Sequence, residues 1–173
     1  KELGYIVDDS LSSLLTRLGL PKKDPIKITQ FYMPNGNRYR EIVYPGGLHR
    51  KYVHTEKRAT ATPHIRVEIE SIISQYEFFE AETNRNQALQ VIRKNRYTYT
   101  IQLAGTYFIL EIDVFESGLP DGLLRVEMEY GLSKPDVVQL LGDVRYVDVS
   151  ARTDCSNSSI AAGKFPQDLF AYL

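Results

Sequence analysis

The stretch FILEIDVFESGLPDGLLRVEMEYG, residues 108–131, decides the fold. Acidic and apolar residues alternate in EIDV, residues 111–114, and again in VEME, residues 126–129. Side chains two positions apart on a β-strand point to the same face. Each segment therefore predicts a strand with a row of carboxylates on one face and large apolar residues on the other. SGLPDG at 117–122 supplies the turn residues that would join the two strands as a hairpin.

The same period-two pattern recurs along most of the chain, with turn signals such as PNGN at 34–37 and PGG at 45–47 between the runs. It predicts strands at 1–7, 27–33, 37–44, 50–57, 65–73, 94–103, 107–115, 123–130 and 146–149. Helical periodicity is scarce and predicts short helices at 11–18, 83–91, 134–141 and 156–162. Eight or nine closely spaced strands favour an antiparallel barrel over a βαβ fold.

Charged residues also alternate in the other predicted strands. Bases recur at Arg38 and Arg40 and at Lys94 and Arg96, whereas RVEIE at 66–70 mixes one base with two acids. A solvated sheet face is the simplest interpretation of such a pattern. The opposite faces are strongly apolar, however, and need a covering layer. A barrel with its charges inward and its apolar face outward under the helices satisfies both patterns.

An interior lined by about six acids and six bases has to contain water, because burying unpaired charges costs several kcal/mol each. Bases bind a polyanion, and clustered acids bind hard divalent cations such as Mg²⁺ or Mn²⁺. A polyphosphate together with a metal ion would satisfy both sets of charges.

Composition narrows the class of protein. The 173 residues suit one domain spanning 1–173, and the net charge of −1 does not favour a general nucleic-acid binder or a membrane-surface protein. Cys155 is the sole cysteine, which excludes an internal disulfide and suits a reducing compartment. No apolar run is long enough for a transmembrane helix. We therefore expect no membrane partner and an intracellular, cytoplasmic location.

Several motifs together resemble the CYTH domain, the family of triphosphate tunnel metalloenzymes. LEIDVFESGLPDGLLRVEMEY, residues 110–130, is similar to the family pattern L-E-I-D-V-F-x-G followed by G-L-x-x-A-E-V-E. DVSARTDCSNSSIAAGKFPQDL, residues 148–169, resembles the family's E-V-T-x-D-x-R-Y-S-N-x-x-L-A segment. ITQFYM at 28–33, RYR at 38–40, RVEIE at 66–70 and RKNRY at 93–97 resemble further family strands. The resemblance implies a mainly β, α+β fold: a closed, eight-stranded antiparallel barrel, or tunnel, with short helices packed outside.

The resemblance also implies roles for the charged residues in metal-dependent hydrolysis of inorganic or nucleoside triphosphate. The bases would bind the triphosphate, with Lys164 as a further contact from the C-terminal segment: Arg38, Arg40, Lys57, Arg66, Lys94, Arg96 and Lys164. The acids would hold Mg²⁺ or Mn²⁺: Glu2, Glu111, Asp113, Glu127, Glu129 and Asp148. Glu68 and Glu70 would orient or deprotonate the attacking water, or hold the bases in place.

The first strand departs from the family's Glu-x-Glu-x-Lys motif. Glu2 corresponds to the second Glu, Gly4 stands in the place of the Lys, and the first Glu would precede Lys1. Three alternatives therefore stay open: a class IV-type adenylate cyclase, an RNA 5′-triphosphatase, and a non-catalytic module that binds polyphosphate or nucleotide. The expected partner is a small triphosphate or a nucleotide, and an RNA 5′ end is the only nucleic acid considered.

Overall fold

The computed structural model describes residues 2–62 and 66–171. Nine strands make up most of this part of the chain: β1 Glu2–Asp8, β2 Ile26–Tyr32, β3 Arg38–Val43, β4 Arg50–Ala59, β5 Arg66–Ile73, β6 Ile92–Leu103, β7 Thr106–Phe115, β8 Leu123–Tyr130 and β9 Arg145–Asp148. Four short helices accompany them: α1 Leu11–Leu18, α2 Gln75–Thr83, α3 Val137–Leu141 and α4 Asn157–Ala161. The mainly β class and all nine predicted strands are confirmed, although Lys1 and Ile65, at the starts of two of them, lie outside the described residues.

All nine strands form one antiparallel sheet in the order β5-β4-β3-β2-β6-β7-β8-β1-β9. The prediction of a closed eight-stranded barrel is not reproduced by this pairing, because β5 and β9 are the two ends of the order across the described residues. Near one end of the order, β1 pairs with β8 on one side and with the additional strand β9 on the other. β9 thus covers the edge of β1 from Tyr5 to Asp8.

The sheet is strongly curved. Side chains from β1 through β8 line a single cavity, including Glu2 of β1 and Glu68 of β5. Six strands lie between β1 and β5 in the hydrogen-bonded order, so only a sheet that curls on itself brings these two side chains to one cavity. The concave face carries the alternating charges, as the sequence predicts.

The convex face carries the main apolar core and the helices α1, α2 and α3. The main core packs Leu110, Ile112, Val126 and Met128 of β7 and β8 against Leu14 and other apolar side chains of α1 and α3. A separate core on this face packs Phe78 of α2. The prediction that the helices pack outside is wrong for α4, which borders the concave cavity through Asn157 and packs with Ile6 and the C-terminal segment in another core. The prediction that helices cover the apolar face fails at β5, where Val67 and Ile69 are 47% and 38% exposed.

Helix prediction was correct for three of the four helices and wrong for the second. Ser10 caps α1 and Gly19 ends it, and Ser156 caps α4, as expected. The helix predicted at 83–91 lies instead at Gln75–Thr83, where Ser74 and Glu77 form a capping box. α3 begins at Val137 rather than at 134, because the Asp136 side chain caps it. Among the described residues, no helix is both long and apolar enough to cross a membrane.

Candidate active site

The concave face encloses a polar cavity of about 480 Å³. Six basic and six acidic side chains line it: Arg38, Arg40, Lys57, Lys94, Arg96 and Arg125, and Glu2, Glu68, Glu70, Glu111, Glu127 and Glu129. The remaining lining residues are Ile28, Gln30, Tyr32, Ser156, Asn157 and Ser158. Eleven of the predicted site residues therefore lie together around one space.

Two arginines of β3 form a concentrated positive wall. Arg38 and Arg40 are two residues apart on the same face of the strand, with side chains that are 13% and 14% exposed. The Nε atom of each is buried and has no hydrogen-bond partner. Burial lowers the pKa of Arg40, and the neighbouring Arg38 charge lowers it further. A buried guanidinium with an unused donor favours an anion, for which the planar fork of Arg is well suited.

Glu68 and Glu70 of β5 contact these bases directly. Glu70 accepts hydrogen bonds from Arg40 and from Thr55, and Glu68 lies 3.1 Å from Lys57 Nζ. Although burial alone would raise it, the pKa of Glu68 is lowered, chiefly by Lys57. A carboxylate with a lowered pKa is a weak proton acceptor, so these contacts suit the positioning of bases better than the deprotonation of water.

A buried ion cluster joins β6 to β7. Asp113, 1% exposed, accepts hydrogen bonds from Lys94 Nζ at 2.6 Å and from Arg96 Nε and Nη2 at 2.7 and 2.8 Å. Arg96 also lies 2.7 Å from Glu111 and 3.2 Å from Glu127. Burial lowers the pKa of Lys94. Arg96 is therefore surrounded by acids, and Asp113 has its oxygens occupied by bases.

The acids of β7, β8 and β1 form the opposite, negative wall. Glu111 lies opposite Glu127 in the β7–β8 pairing, and Glu2 lies opposite Glu129 in the β1–β8 pairing. Burial raises the pKa of Glu111 and that of Glu2, and the Glu127 carboxylate raises both further. Like charges in cross-strand pairs destabilise a sheet, so this wall favours a bound cation.

Glu2 and Glu129 differ from the other cavity acids in their partners. Within residues 2–62 and 66–171, neither carboxylate has an ion-pair or hydrogen-bond partner, although the two lie directly opposite each other. No group of three or more His, Cys, Asp or Glu side chains in the same residues is arranged to hold a metal ion by itself. These carboxylates can therefore supply part of a coordination shell, with the rest left to water or a ligand.

Three predicted site residues do not line the cavity: Asp113 is enclosed by Lys94 and Arg96, and the other two lie elsewhere. Asp148 pairs with Tyr5, whose side chain belongs to the core on the convex face, and it borders a separate cleft there. Lys164 is exposed in the segment after α4 and does not line the cavity. Arg66 begins β5, and its side chain lies outside the described residues.

Other cavity residues were not among those predicted. Gln30, 1% exposed, donates a hydrogen bond to the Tyr32 hydroxyl. Asn157, at the start of α4, lies 3.4 Å from Lys94 Nζ. Arg125 shares the face of Glu127 and Glu129, a position that period-two alternation in RVEME already indicates. Gln30 and Asn157 carry no such signal, because uncharged polar residues are common in strands and helix caps.

Comparison with known proteins supports the fold. No protein-family model matches the chain, and no curated protein matches it significantly. Among solved structures it is similar to the inorganic triphosphatase NE1496, with 19% identity and a TM-score of 0.55 over 93% of this chain and 96% of that chain. It is also similar to a conserved hypothetical protein from Pyrococcus furiosus (20% identity, TM-score 0.51, 84% of this chain and 95% of that one) and to the PH1819 protein from Pyrococcus horikoshii OT3 (16%, 0.53, 85% and 93%). At these identities the likeness establishes the fold, which is consistent with the triphosphate tunnel fold expected from the sequence.

Proposed function

We propose that the protein hydrolyses a triphosphate bound, together with a divalent metal ion, in the charged cavity. The observation that carries this proposal is that basic and acidic groups without partners lie on separate walls of the cavity. Buried donors of Arg38 and Arg40 lie on one wall, and the unpaired carboxylates of Glu2 and Glu129 lie on another. A ligand that presents both anionic oxygens and a cation satisfies both walls at once, and a metal–triphosphate complex has this chemistry.

The basic wall would bind the triphosphate oxygens. Arg38 and Arg40 supply fork-shaped donors, and Lys57, 40% exposed, supplies a more accessible point charge. Glu68 and Glu70 would hold these three bases in position through the ion pairs already formed. Phosphoryl transfer needs mainly positioning and neutralisation of charge from a protein, and this wall would provide both.

The acidic wall would hold the metal ion, with the unpaired Glu2 and Glu129 as the proposed ligands. Glu111 and Glu127 lie beside them, and Arg96 and Arg125 already contact Glu127. Mg²⁺ commonly takes only one or two protein carboxylates and completes its octahedron with water and phosphate oxygens. The donor set therefore fits an ion that enters with its substrate. Bound there, Mg²⁺ or Mn²⁺ would neutralise phosphate charge and acidify the attacking water. Asp113 and Asp148 are not included, because bases occupy the first and the second lies on the convex face.

The proton of the attacking water would pass to the acidic wall. Glu111 is a suitable acceptor because burial and the neighbouring acids raise the pKa of its carboxyl. Its ion pair with Arg96, at 2.7 Å, would keep the carboxylate oriented toward the cavity.

Inorganic triphosphate is the first substrate to test. It needs no site for a nucleoside, and the solved structure described as an inorganic triphosphatase shares this fold over 93% of the chain. The products distinguish the alternatives. A triphosphatase releases orthophosphate from triphosphate, ATP or 5′-triphosphorylated RNA. A cyclase forms cyclic AMP with pyrophosphate, and a binding module forms no product.

The test is phosphate release from inorganic triphosphate with Mg²⁺ or Mn²⁺, compared between the wild type and Glu127→Ala with Glu129→Ala. We expect the double variant to lose activity, because it removes two carboxylates of the acidic wall. Glu80→Ala with Glu82→Ala is the matched control, since these glutamates are also two residues apart but lie on α2 outside the cavity. Release by neither protein from any triphosphate, or equal release by both, would contradict the proposal.

A further inference from the structure

Gly4 lies in the middle of β1, on the face that bears the cavity charges, and it is buried. Its backbone is not in the left-handed region that usually explains a glycine. A glycine inside a strand weakens the strand and often marks the close approach of another group. We therefore look to the neighbouring side chains for the reason that residue 4 is a glycine.

The space beside Gly4 contains the guanidinium of Arg125. A Cβ atom at residue 4 would lie 3.7 Å from Arg125 Nη2 and 3.7 Å from Val149 Cγ2. A methyl group would thus make ordinary contact, and a longer side chain that extends toward β8 would meet the guanidinium. Gly4 lies opposite Glu127 in the β1–β8 pairing, so Arg125, two residues earlier on β8, reaches residue 4 along the diagonal.

Arg125 is held on two sides and unoccupied on a third. Its Nε donates to Glu127 Oε1 at 2.9 Å, and its Nη1 donates to the carbonyl oxygen of Cys155. Within the described part of the chain, Nη2 has no hydrogen-bond partner, and the side chain is only 11% exposed. Arg125 lines both the main cavity and an adjoining cleft of about 380 Å³ that also contains Gly4 and Ser150.

Arg125 is also the available cation on the acidic wall. Arg96 lies there too, but its Nη1 pairs with Glu111, its Nε with Asp113, and its Nη2 with both Asp113 and Glu127. A phosphate group that approaches this wall meets carboxylates that repel it. An oriented guanidinium with a free N–H offsets that repulsion and supplies a charge-assisted hydrogen bond.

We propose that Arg125 is a substrate-binding residue, which donates from Nη2 to a phosphate oxygen on the acidic side of the cavity, and that Gly4 leaves the room its guanidinium needs. The proposal rests on the proposed function and deepens it. It places a phosphate contact on β8, beside the metal ligands. It also implies that a cationic side chain at residue 4 could replace the one at residue 125.

The experiment compares Arg125→Gln with Arg58→Gln, a matched control. Arg58 also pairs through Nε with a glutamate two residues away, at 2.8 Å, but it is 61% exposed and lies outside the cavity. We measure kcat/KM for inorganic triphosphate with Mg²⁺, and separately the rise in thermal midpoint caused by triphosphate in EDTA. Loss of one charge-assisted hydrogen bond lowers kcat/KM roughly 10- to 100-fold. We expect this fall and a smaller midpoint rise for Arg125→Gln, and wild-type values for Arg58→Gln.

A second pair of variants tests the shared space. Arg125→Leu removes the cation, and Gly4→Lys in that background supplies a cation from β1 instead. Compared with Arg125→Leu alone, the double variant should have a kcat/KM at least about tenfold higher and should recover part of the rise in thermal midpoint. Equal values for Arg125→Gln and wild type, or no recovery in the double variant, would overturn the proposal. If Arg125→Gln does not unfold cooperatively, Arg125→Lys takes its place and is expected to retain an intermediate affinity. The EDTA measurement still tests Arg125 if the wild type releases no phosphate, which separates this inference from the proposed activity.

Discussion

The buried cluster of Lys94, Arg96 and Asp113 leads to a quantitative prediction for Asp113→Asn. Although burial alone would raise it, Lys94 and Arg96 hold the pKa of Asp113 at about 2, so the carboxylate is charged at neutral pH. It accepts three hydrogen bonds, and the Lys94 side chain is only 2% exposed. Removing one partner of a buried ion pair costs about 3–5 kcal/mol, because the remaining charge is uncompensated. Because each kcal/mol shifts the thermal midpoint by about 2–4 °C in a protein of this size, the thermal midpoint should fall by roughly 6–20 °C.

The measurement is urea unfolding at pH 7, followed by circular dichroism, for the wild type, Asp113→Asn and Asp143→Asn. Asp143 pairs with Arg17 but is 87% exposed, so its loss is expected to change the free energy of unfolding by less than about 0.5 kcal/mol. Lys94→Met with Asp113→Asn should be more stable than Asp113→Asn alone, because the uncompensated ammonium is gone. A loss below about 1 kcal/mol for Asp113→Asn, or no recovery in the double variant, would refute this reasoning.

Two further stability predictions concern the acidic wall and α2. Burial, and then the Glu127 charge, raise the pKa of Glu2, so the stability linked to protonated Glu2 is present at low pH and lost as the pH rises through the raised value. In metal-free protein at pH 7.5, Glu2→Gln should therefore raise the thermal midpoint by about 1–3 °C, a gain that shrinks toward pH 4.5 and is absent in the exposed control Glu116→Gln. Ser74→Ala should lower the free energy of unfolding by about 1 kcal/mol in urea unfolding, because it removes the cap bond to Glu77 N; an unchanged midpoint would show that this cap contributes nothing.

The assignment of faces could be predicted from the sequence because it depends only on the period of two. Once Glu111 and Glu127 are placed on the inner face, every second residue of their strands lies on that face as well. The cavity also receives the predicted charges of seven further strand positions on β3 to β6. The same rule explains why Asp148 does not line the cavity. A shift of one residue reverses the face of a strand, and the pairing of Asp148 with Tyr5 places it on the convex side.

The pairing of charges could not be predicted, because it depends on strand order and register. Nothing in the residues around Asp113 distinguishes a metal ligand from the partner of a buried base. The difference arises because β6 lies beside β7 with Arg96 opposite Asp113. The helix Gln75–Thr83 was missed for a different reason. Its Ser74–Glu77 capping box is present in the sequence, but only Phe78 of the helix is buried, so the apolar periodicity is weak.

Strand order also determines where charge remains uncompensated. The acids of β5 lie beside the bases of β4 and close to those of β3, and the acids of β7 lie beside the bases of β6. β7 and β8 are both acidic neighbours, but Arg96 reaches Glu111 and Glu127 and bridges them. β8 and β1 are the remaining acidic pair, and no base bridges Glu2 and Glu129 among the described residues. Because adjacent like charges are unfavourable, the sheet keeps this pair at a cost in stability that a bound cation would remove. Metal affinity and metal-free stability should thus change in opposite directions when either glutamate is neutralised.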